Sequence, residues 1–306
     1  MPTNDQCPTL GTDNSILSFS FSLPIPFPYG GACMEDLTSK LHYWLVDHPI
    51  IANFQWKPNQ TWGASPLFLS VTLLTYLLLT FTLHHAHLPT LNSTFLRLIS
   101  ALHNLVLLVL SLIMAVGCSL STFSQMPDHR WIFCFPPNQT PPRGPVFFWA
   151  QIFYFSKLLE FIDTLLIILS GSNRRLSFLH VYHHTVVVVM CYVWLSTSQS
   201  LFPVALVTNA SVHVLMYAYY LLCALGWRPW WKVLVTNCQI VQFVFSFMVS
   251  GVMLYYHFTG SGCSGFLGWC FNAVFNASLL ALFINFHFKN YAKKKKTNAN
   301  TKTKSL

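Results

Sequence analysis

Three histidines stand together in an apolar segment, in the sequence HVYHH. His180, His183 and His184 have offsets of 0, 3 and 4, which in an α-helix place them on one face. In apolar surroundings each imidazole must be hydrogen-bonded, bound to a ligand or used in chemistry to offset its desolvation. A neutral imidazole can attack a thioester or accept a proton, since its pKa lies near working pH. The pattern therefore predicts one site that all three histidines address.

Charged side chains occupy another apolar segment, in the sequence KLLEFIDT. In a helix, Lys157, Glu160 and Thr164 share a narrow face, and Asp163 lies on its flank. An internal salt bridge that lets a charged helix insert is one interpretation. Charge within a membrane is costly enough that a functional interior is the better one.

Two more apolar segments, NASVHVLMYAYY and TNCQIVQ, carry polar stripes at helical spacing. The stripe residues are His213, Met216, Tyr217, Tyr219 and Tyr220 in the first segment and Thr236, Gln239 and Gln242 in the second. Taken alone, the first stripe is more often a packing face with one hydrogen-bonded histidine. The glutamines of the second indicate an aqueous or substrate-lined interior.

Composition predicts an all-α integral membrane protein. Of 306 residues, 54% are hydrophobic and 8% are charged, against about a quarter charged in soluble domains. Seven stretches reach the roughly 20 apolar residues that a spanning helix needs: 65–84, 96–118, 147–169, 178–197, 201–225, 230–257 and 264–288. The predicted domains are an N-terminal lumenal segment (1–64), a seven-helix transmembrane catalytic domain (65–288) and a basic cytosolic tail (289–306).

The basic residues predict the orientation of these spans. One set of alternate connections, together with the tail, carries twelve Lys and Arg residues, and the other set carries four. The N-terminus should therefore be lumenal and the C-terminus cytosolic. The net charge of +9 is concentrated in seven tail lysines, so nucleic acid is not an expected partner. The terminal KTKSL resembles the KxKxx signal for the endoplasmic reticulum, although a basic tail beside anionic lipid has the same composition.

Depth places the polar residues in one half of the membrane. Counted from the cytosolic end, His183 lies about 8 Å deep, Asp163 about 9 Å, Gln239 about 14 Å and His213 about 18 Å. The sequence therefore predicts one polar chamber near the cytosol, with an apolar remainder of the bundle behind it.

The nine cysteines show no CxxC pair and no zinc spacing, so no sulfur-ligated metal site is expected. Cys134 and Cys263 fall in loops on the same predicted lumenal side. A disulfide is allowed between them, and the sequence leaves its formation open.

Two interpretations other than acyl transfer remain open. HxxHH is a fragment of the ligand set of membrane iron oxygenases and desaturases, which need several such boxes to hold two irons. This chain has one full box, a cluster of His84, His85 and His87, and the isolated His213. A transporter would also place charge within its spans, but no paired broken helices indicate inverted repeats.

The four motifs together resemble those of the ELO fatty acid elongases. KLLEFIDT, HVYHH, HVLMYAYY and TNCQIVQ occur in the order and spacing of that family, closely over residues 145–290 and loosely over the first two spans. The run from Leu159 to Val189 looks most like the plant ELO-like branch. The resemblance implies a seven-helix fold in which six helices ring a narrow acyl tunnel that is sealed on the lumenal side.

The resemblance also implies very-long-chain 3-oxoacyl-CoA synthase activity. A long-chain acyl-CoA would condense with malonyl-CoA in the membrane, through an acyl-imidazole, and release CO2 and CoA. No cofactor or metal is expected beyond these substrates. The product implies a 3-oxoacyl-CoA reductase, a 3-hydroxyacyl-CoA dehydratase and an enoyl-CoA reductase as partners, and a homodimer is compatible with the family.

Roles for the site residues follow as hypotheses. His183 is the nucleophile, His213 relays a proton or polarises the malonyl thioester, and His180 and His184 orient the nucleophile or stabilise the oxyanion. The supporting residues are Lys157, Glu160, Asp163, Thr164, Tyr217 and Tyr220, and the substrate-binding residues are Gln239, Gln242, Asn209, Arg174, Arg175 and Lys232. The choice of His183 over His213 and the acyl length stay open.

Overall fold

The computed structural model describes residues 31–86, 92–171 and 175–289. Within these ranges the chain is helical and has no β-strand. The α-helices are α1 (Gly31–His42), α2 (Pro49–Ala52), α3 (Pro66–His85), α4 (Ser93–Gln125), α5 (Pro145–Leu159), α6 (Phe161–Leu169), α7 (Phe178–Thr197), α8 (Phe202–Ala224), α9 (Lys232–Thr259) and α10 (Phe266–His287). A π-helical turn (Tyr43–Asp47) and a 3₁₀ turn (His129–Ile132) complete the described elements.

Local signals set the ends of the helix that carries the histidine box. The Ser177 hydroxyl accepts a hydrogen bond from the backbone N–H of His180, which caps the start of α7. Ser198 ends the same helix in the left-handed conformation, with φ of 46°. These caps place all three box histidines in the first two turns of α7, at the end opposite to Thr197.

The predicted spans agree closely with the observed helices. Six helices, α3, α4, α7, α8, α9 and α10, are long and apolar enough to cross a membrane. The described part of the chain is therefore an all-α membrane fold. The predicted span 96–118 is longer in the structure, where α4 has 33 residues. The expected boundaries at residues 64 and 288 between domains stay predictions, and the tail after Lys289 lies outside the described residues.

The predicted third span, 147–169, is divided into α5 and α6, so the count of seven uninterrupted helices is not confirmed. Glu160 separates the two helices. Its backbone N–H bonds to the carbonyl of Ser156 at 2.9 Å, and its own carbonyl accepts from the N–H of Asp163 at 3.0 Å. That second bond spans three residues instead of four, which tightens the turn at Glu160.

Contacts between neighbouring helices form a closed circuit. Helix α4 packs against α5 and α8, α5 packs against α7, α7 against α10, α10 against α9, and α9 against α8. Helix α3 packs against α6 and α7. Six helices therefore surround a common interior, as the resemblance implies: α4, α5, α7, α8, α9 and α10.

One end of this bundle is closed by aromatic packing and by a covalent link. Trp194 stacks on Phe153, with ring centroids 5.8 Å apart, and packs against Phe202 at 6.2 Å. The three side chains are almost fully buried. At the same end Cys134 and Cys263 form the disulfide that the sequence left open, with their Cα atoms 5.0 Å apart.

Candidate active site

Lys157 is the centre of the polar cluster, although its side chain is only 1% exposed. Its Nζ donates to Glu160 Oε1 at 2.7 Å, to His213 Nε2 at 3.2 Å and to Asn209 Oδ1 at 3.3 Å. Nζ also lies 4.3 Å from the centroid of the Phe153 ring. An ammonium has three N–H donors, so all three are used. Lys157 therefore links α5 to α8.

The contacts of His213 determine its tautomer. Its Nδ1 lies 2.9 Å from the backbone carbonyl of Asn209. Because a carbonyl can only accept, Nδ1 carries the proton, and Nε2 of the neutral ring accepts from Lys157. The Glu160 carboxylate is 3.8 Å from this Nε2, which is too long for a hydrogen bond. Both ring nitrogens of His213 are therefore occupied.

Glu160 lies at the junction of α5 and α6 and faces two of the predicted histidines. One carboxylate oxygen bonds Lys157, and the other lies 4.0 Å from Nδ1 of His184. That Nδ1 is buried and has no hydrogen-bond partner among the described residues. The buried Lys157–Glu160 ion pair thus lies directly beside His184 and His213.

Asp163 is held by two other helices. One carboxylate oxygen lies 3.0 Å from Nε2 of His103 on α4, and the other accepts from the hydroxyl of Tyr217 on α8 at 3.1 Å. His103 is 8% exposed, and the sequence analysis missed it. The sequence does contain a signal for it, because His103 is an ionisable residue inside the predicted span 96–118. The same kind of signal identified Asp163.

Thr164 connects the histidine box to α3. Its hydroxyl lies 2.9 Å from Nε2 of His180 and 3.0 Å from the hydroxyl of Tyr76. Tyr76 was also missed, because a tyrosine in an apolar segment is usually a packing residue. Thr164 and Tyr76 are both buried, so the hydrogen-bonded series from His180 through Thr164 to Tyr76 lies inside the protein.

The box histidines are close to one another and border a cavity. The ring centroids of His180 and His184 are 4.4 Å apart, and those of His183 and His184 are 5.4 Å apart. His183 lines a cavity of about 40 Å³, and no side chain or backbone group of the described ranges hydrogen-bonds its buried Nδ1. The cavity follows one face of α7 as far as Trp194, at the closed end of the bundle.

Six of the fourteen residues that line the cavity are neutral and polar. Helices α8, α9 and α10 contribute the polar lining residues Thr208, Asn209, Gln242, Ser246, Asn272 and Asn276. Asn209 and Gln242 were predicted to bind substrate, and they stand in the same cavity as His183. The volume admits a few water molecules.

Several predicted residues lie apart from this cavity. Gln239 donates to the sulfur of Met216 at 3.5 Å and does not line the cavity, and Tyr220 is 43% exposed. Arg175, in the turn before α7, and Lys232, the first residue of α9, are exposed on the same side as the start of α7. Arg174 lies outside the described residues. In the described ranges, no group of three or more His, Cys, Asp or Glu side chains is arranged to hold a metal ion.

Comparison with known proteins places these features in a family. The family model described as ELO, GNS1/SUR4 family, matches residues 61–299. The chain is 29% identical to fatty acid elongase 3-like of Arabidopsis thaliana over 270 residues, covering 83% of this chain and 92% of the relative. It is 33% identical to fatty acid elongase A of Dictyostelium discoideum over 259 residues, covering 81% and 93%. It is 40% identical to very long chain fatty acid elongase 5 of Mus musculus over 149 residues, covering 46% and 48%. The chain therefore belongs to the ELO, or GNS1/SUR4, family of fatty acid elongases.

Proposed function

We propose that this protein is a very-long-chain 3-oxoacyl-CoA synthase, which condenses a long-chain acyl-CoA with malonyl-CoA. The observation that carries the proposal is the difference between the two candidate nucleophiles. Both ring nitrogens of His213 have partners, at 2.9 and 3.2 Å, whereas His183 lines the cavity and its buried Nδ1 has no hydrogen-bond partner in the described part of the chain. A neutral imidazole that borders such a cavity is a suitable nucleophile for a thioester.

In the first stage, a ring nitrogen of His183 attacks the carbonyl carbon of the acyl-CoA thioester. The carbon–sulfur bond breaks, CoA leaves as a thiolate that takes up a proton, and the acyl chain remains on the imidazole. Asn209 and Gln242 line the same cavity and carry amide donors, and in this proposal they bind the thioester oxygen as its charge develops.

In the second stage, malonyl-CoA loses CO2, and the resulting carbanion attacks the acyl carbon bound to His183. The new carbon–carbon bond forms as the bond to the imidazole breaks, which releases a 3-oxoacyl-CoA two carbons longer. Because both ring nitrogens of His213 and all three N–H groups of Lys157 already have partners, the pair has a supporting role: the ammonium, held by His213, bonds the Asn209 side chain that lines the cavity. Glu160 keeps that ammonium in position.

The same proposal includes the setting of the reaction. The protein lies in the endoplasmic reticulum membrane, with its N-terminus in the lumen and its C-terminus in the cytosol. The acyl chain extends along α7 towards Trp194 at the sealed lumenal end, and the CoA phosphates meet Arg175 and Lys232 at the cytosolic end. The excess of basic residues on one side supports this orientation. A reductase, a dehydratase and an enoyl reductase would complete the cycle.

The test is an incubation of purified protein with a panel of acyl-CoAs and isotopically labelled malonyl-CoA. We expect a labelled 3-oxoacyl-CoA from the wild type and from His85→Ala, a matched control at an exposed histidine, and none from His183→Ala. With acyl-CoA alone, mass spectrometry of the peptide that contains residues 178–197 should show the acyl adduct.

Condensation by correctly folded His183→Ala would contradict the assignment of the nucleophile. An adduct on His213 instead would move that role to α8. Stoichiometric iron in an active preparation, together with desaturated or oxygenated acyl product, would replace condensation by oxygenase chemistry.

A further inference from the structure

Helix α6 needs external support because it is short. It has nine residues, and isolated helices below about 12 residues are marginal. Two functional groups nevertheless depend on its position: Glu160, which precedes it and faces His184, and Thr164, which bonds His180. A displacement of α6 would therefore move partners of two box histidines at once.

Asp163 ties α6 to the two helices that pack most extensively on each other, α4 and α8. Its two carboxylate oxygens bond His103 at 3.0 Å and Tyr217 at 3.1 Å. Lys157 is bonded to Glu160, and in the described part of the chain the side chains that donate to the Asp163 carboxylate are His103 and Tyr217. Hydrogen bonds to a carboxylate are about twice as strong as bonds between neutral groups.

We propose that His103 is a positioning residue for the condensation: it holds Asp163, and through Asp163 it fixes α6 so that Glu160 and Thr164 face the histidine box. His103 is not among the residues that line the cavity, so it acts through Asp163 and not on the substrate. The expected effect on kcat rests on the proposed function. The expected effect on the position of α6 rests on the two hydrogen bonds of Asp163.

The kinetic test compares His103→Leu with His103→Gln. Leucine removes the donor, whereas the amide nitrogen of glutamine can occupy the position of the imidazole Nε2. We expect His103→Leu to lower kcat ten- to hundredfold with KM for acyl-CoA within about twofold, because small displacements of catalytic groups cost up to about 100-fold. His103→Gln should recover most of kcat. Ser119→Ala, which removes a hydroxyl that donates to the Ala115 carbonyl of the same helix, should match the wild type.

A second measurement does not depend on activity. In His103→Leu, amide hydrogen exchange over residues 161–169 should increase at least tenfold, while exchange over residues 178–197 stays unchanged. His103→Gln should resemble the wild type in both segments. In kinetics, adding Tyr217→Phe to His103→Leu should cost less than the product of the two single effects, since both act on one carboxylate.

The outcomes separate the two proposals. Wild-type kcat and unchanged exchange in α6 for His103→Leu would overturn the role of His103. A rise in KM with unchanged kcat would also overturn it, because that result belongs to substrate binding. If the wild type condenses no acyl-CoA, the proposed function fails, while hydrogen exchange still decides whether His103 holds α6.

Discussion

At the residue scale, the candidate site is organised around a buried ion pair. Lys157 and Glu160 have side chains that are 1% and 3% exposed, and Nζ is 2.7 Å from the carboxylate. Burial of two charges costs several kcal/mol each, so such a pair persists only when its other hydrogen-bonding groups are satisfied. Asn209 and His213 supply the remaining acceptors for Lys157. Spacing in the sequence predicts the pair, but not that the ammonium also holds His213 in one tautomer.

This arrangement predicts the result of removing one charge. Lys157→Met should lower the free energy of unfolding by about 3–5 kcal/mol, because the Glu160 carboxylate is left buried without its cation. The Lys157→Met, Glu160→Leu double variant should recover most of that stability, yet remain inactive in condensation. Thermal melting of detergent-solubilised protein measures the first effect. A Lys157→Met single variant that melts like the wild type would contradict the account.

At the element scale, close packing between helices decides which side chains meet. Gly117 on α4 faces Trp149 on α5, and a Cβ at residue 117 would overlap Cε2 of the indole. Trp149 is 4% exposed, and its Nε1 donates to the backbone carbonyl of Leu45 at 3.0 Å, so the ring is not free to move. Small residues at helix interfaces allow such approach in membranes. The spacing of α4 and α5 follows from this contact.

Two glycines in spanning helices test this packing. Gly117→Ala should lower the free energy of unfolding by about 1–3 kcal/mol, since the added methyl overpacks the α4–α5 interface. Gly251→Ala on α9 is the matched control, because apart from its chain neighbours and the backbone of its own helix, no heavy atom of the described residues lies within 4 Å of a Cβ at that position. The control should melt at the wild-type temperature or above. Equal melting temperatures for Gly117→Ala and the wild type would show that Trp149 can give way.

At the scale of the whole molecule, the two ends of the bundle differ. The end with Trp194 is filled by stacked aromatic rings and joined by the Cys134–Cys263 disulfide, whereas the start of α7 carries the histidine box near exposed basic residues. The disulfide connects the α4–α5 loop to the α9–α10 loop across 129 residues of sequence. One end of the six-helix circuit is thus held covalently, and the reactive groups lie towards the other.

Loss of this disulfide should loosen the closed end. Serine at both Cys134 and Cys263 should lower the free energy of unfolding by about 2–4 kcal/mol, because the unfolded chain gains freedom. Melting with and without reductant measures the effect, and mobility in a non-reducing gel reports the bond. Cys223→Ser, at an exposed free cysteine on α8, should leave both unchanged. Identical melting of the oxidised and reduced protein would exclude a stabilising role.

The sequence by itself determined the membrane class and the family. It also determined both ends of five of the seven predicted spans to within two residues. Long apolar runs and helical periodicity carry that information, because the cost of exposing polar groups to lipid acts on each segment separately. The four motifs also identified Lys157, Glu160, His184 and His213, which the structure brings together.

Only the tertiary structure decided which side chains contact one another in the candidate site. It divided the third span at Glu160, added His103 and Tyr76 to the site, and set Gln239 against Met216 away from the cavity. Periodicity gives the angle of a side chain about its own helix, but the side chain it meets depends on how neighbouring helices rotate and slide. Packing contacts between helices, which form as the chain folds, set that rotation. No single segment of the sequence therefore contains the information that fixes it.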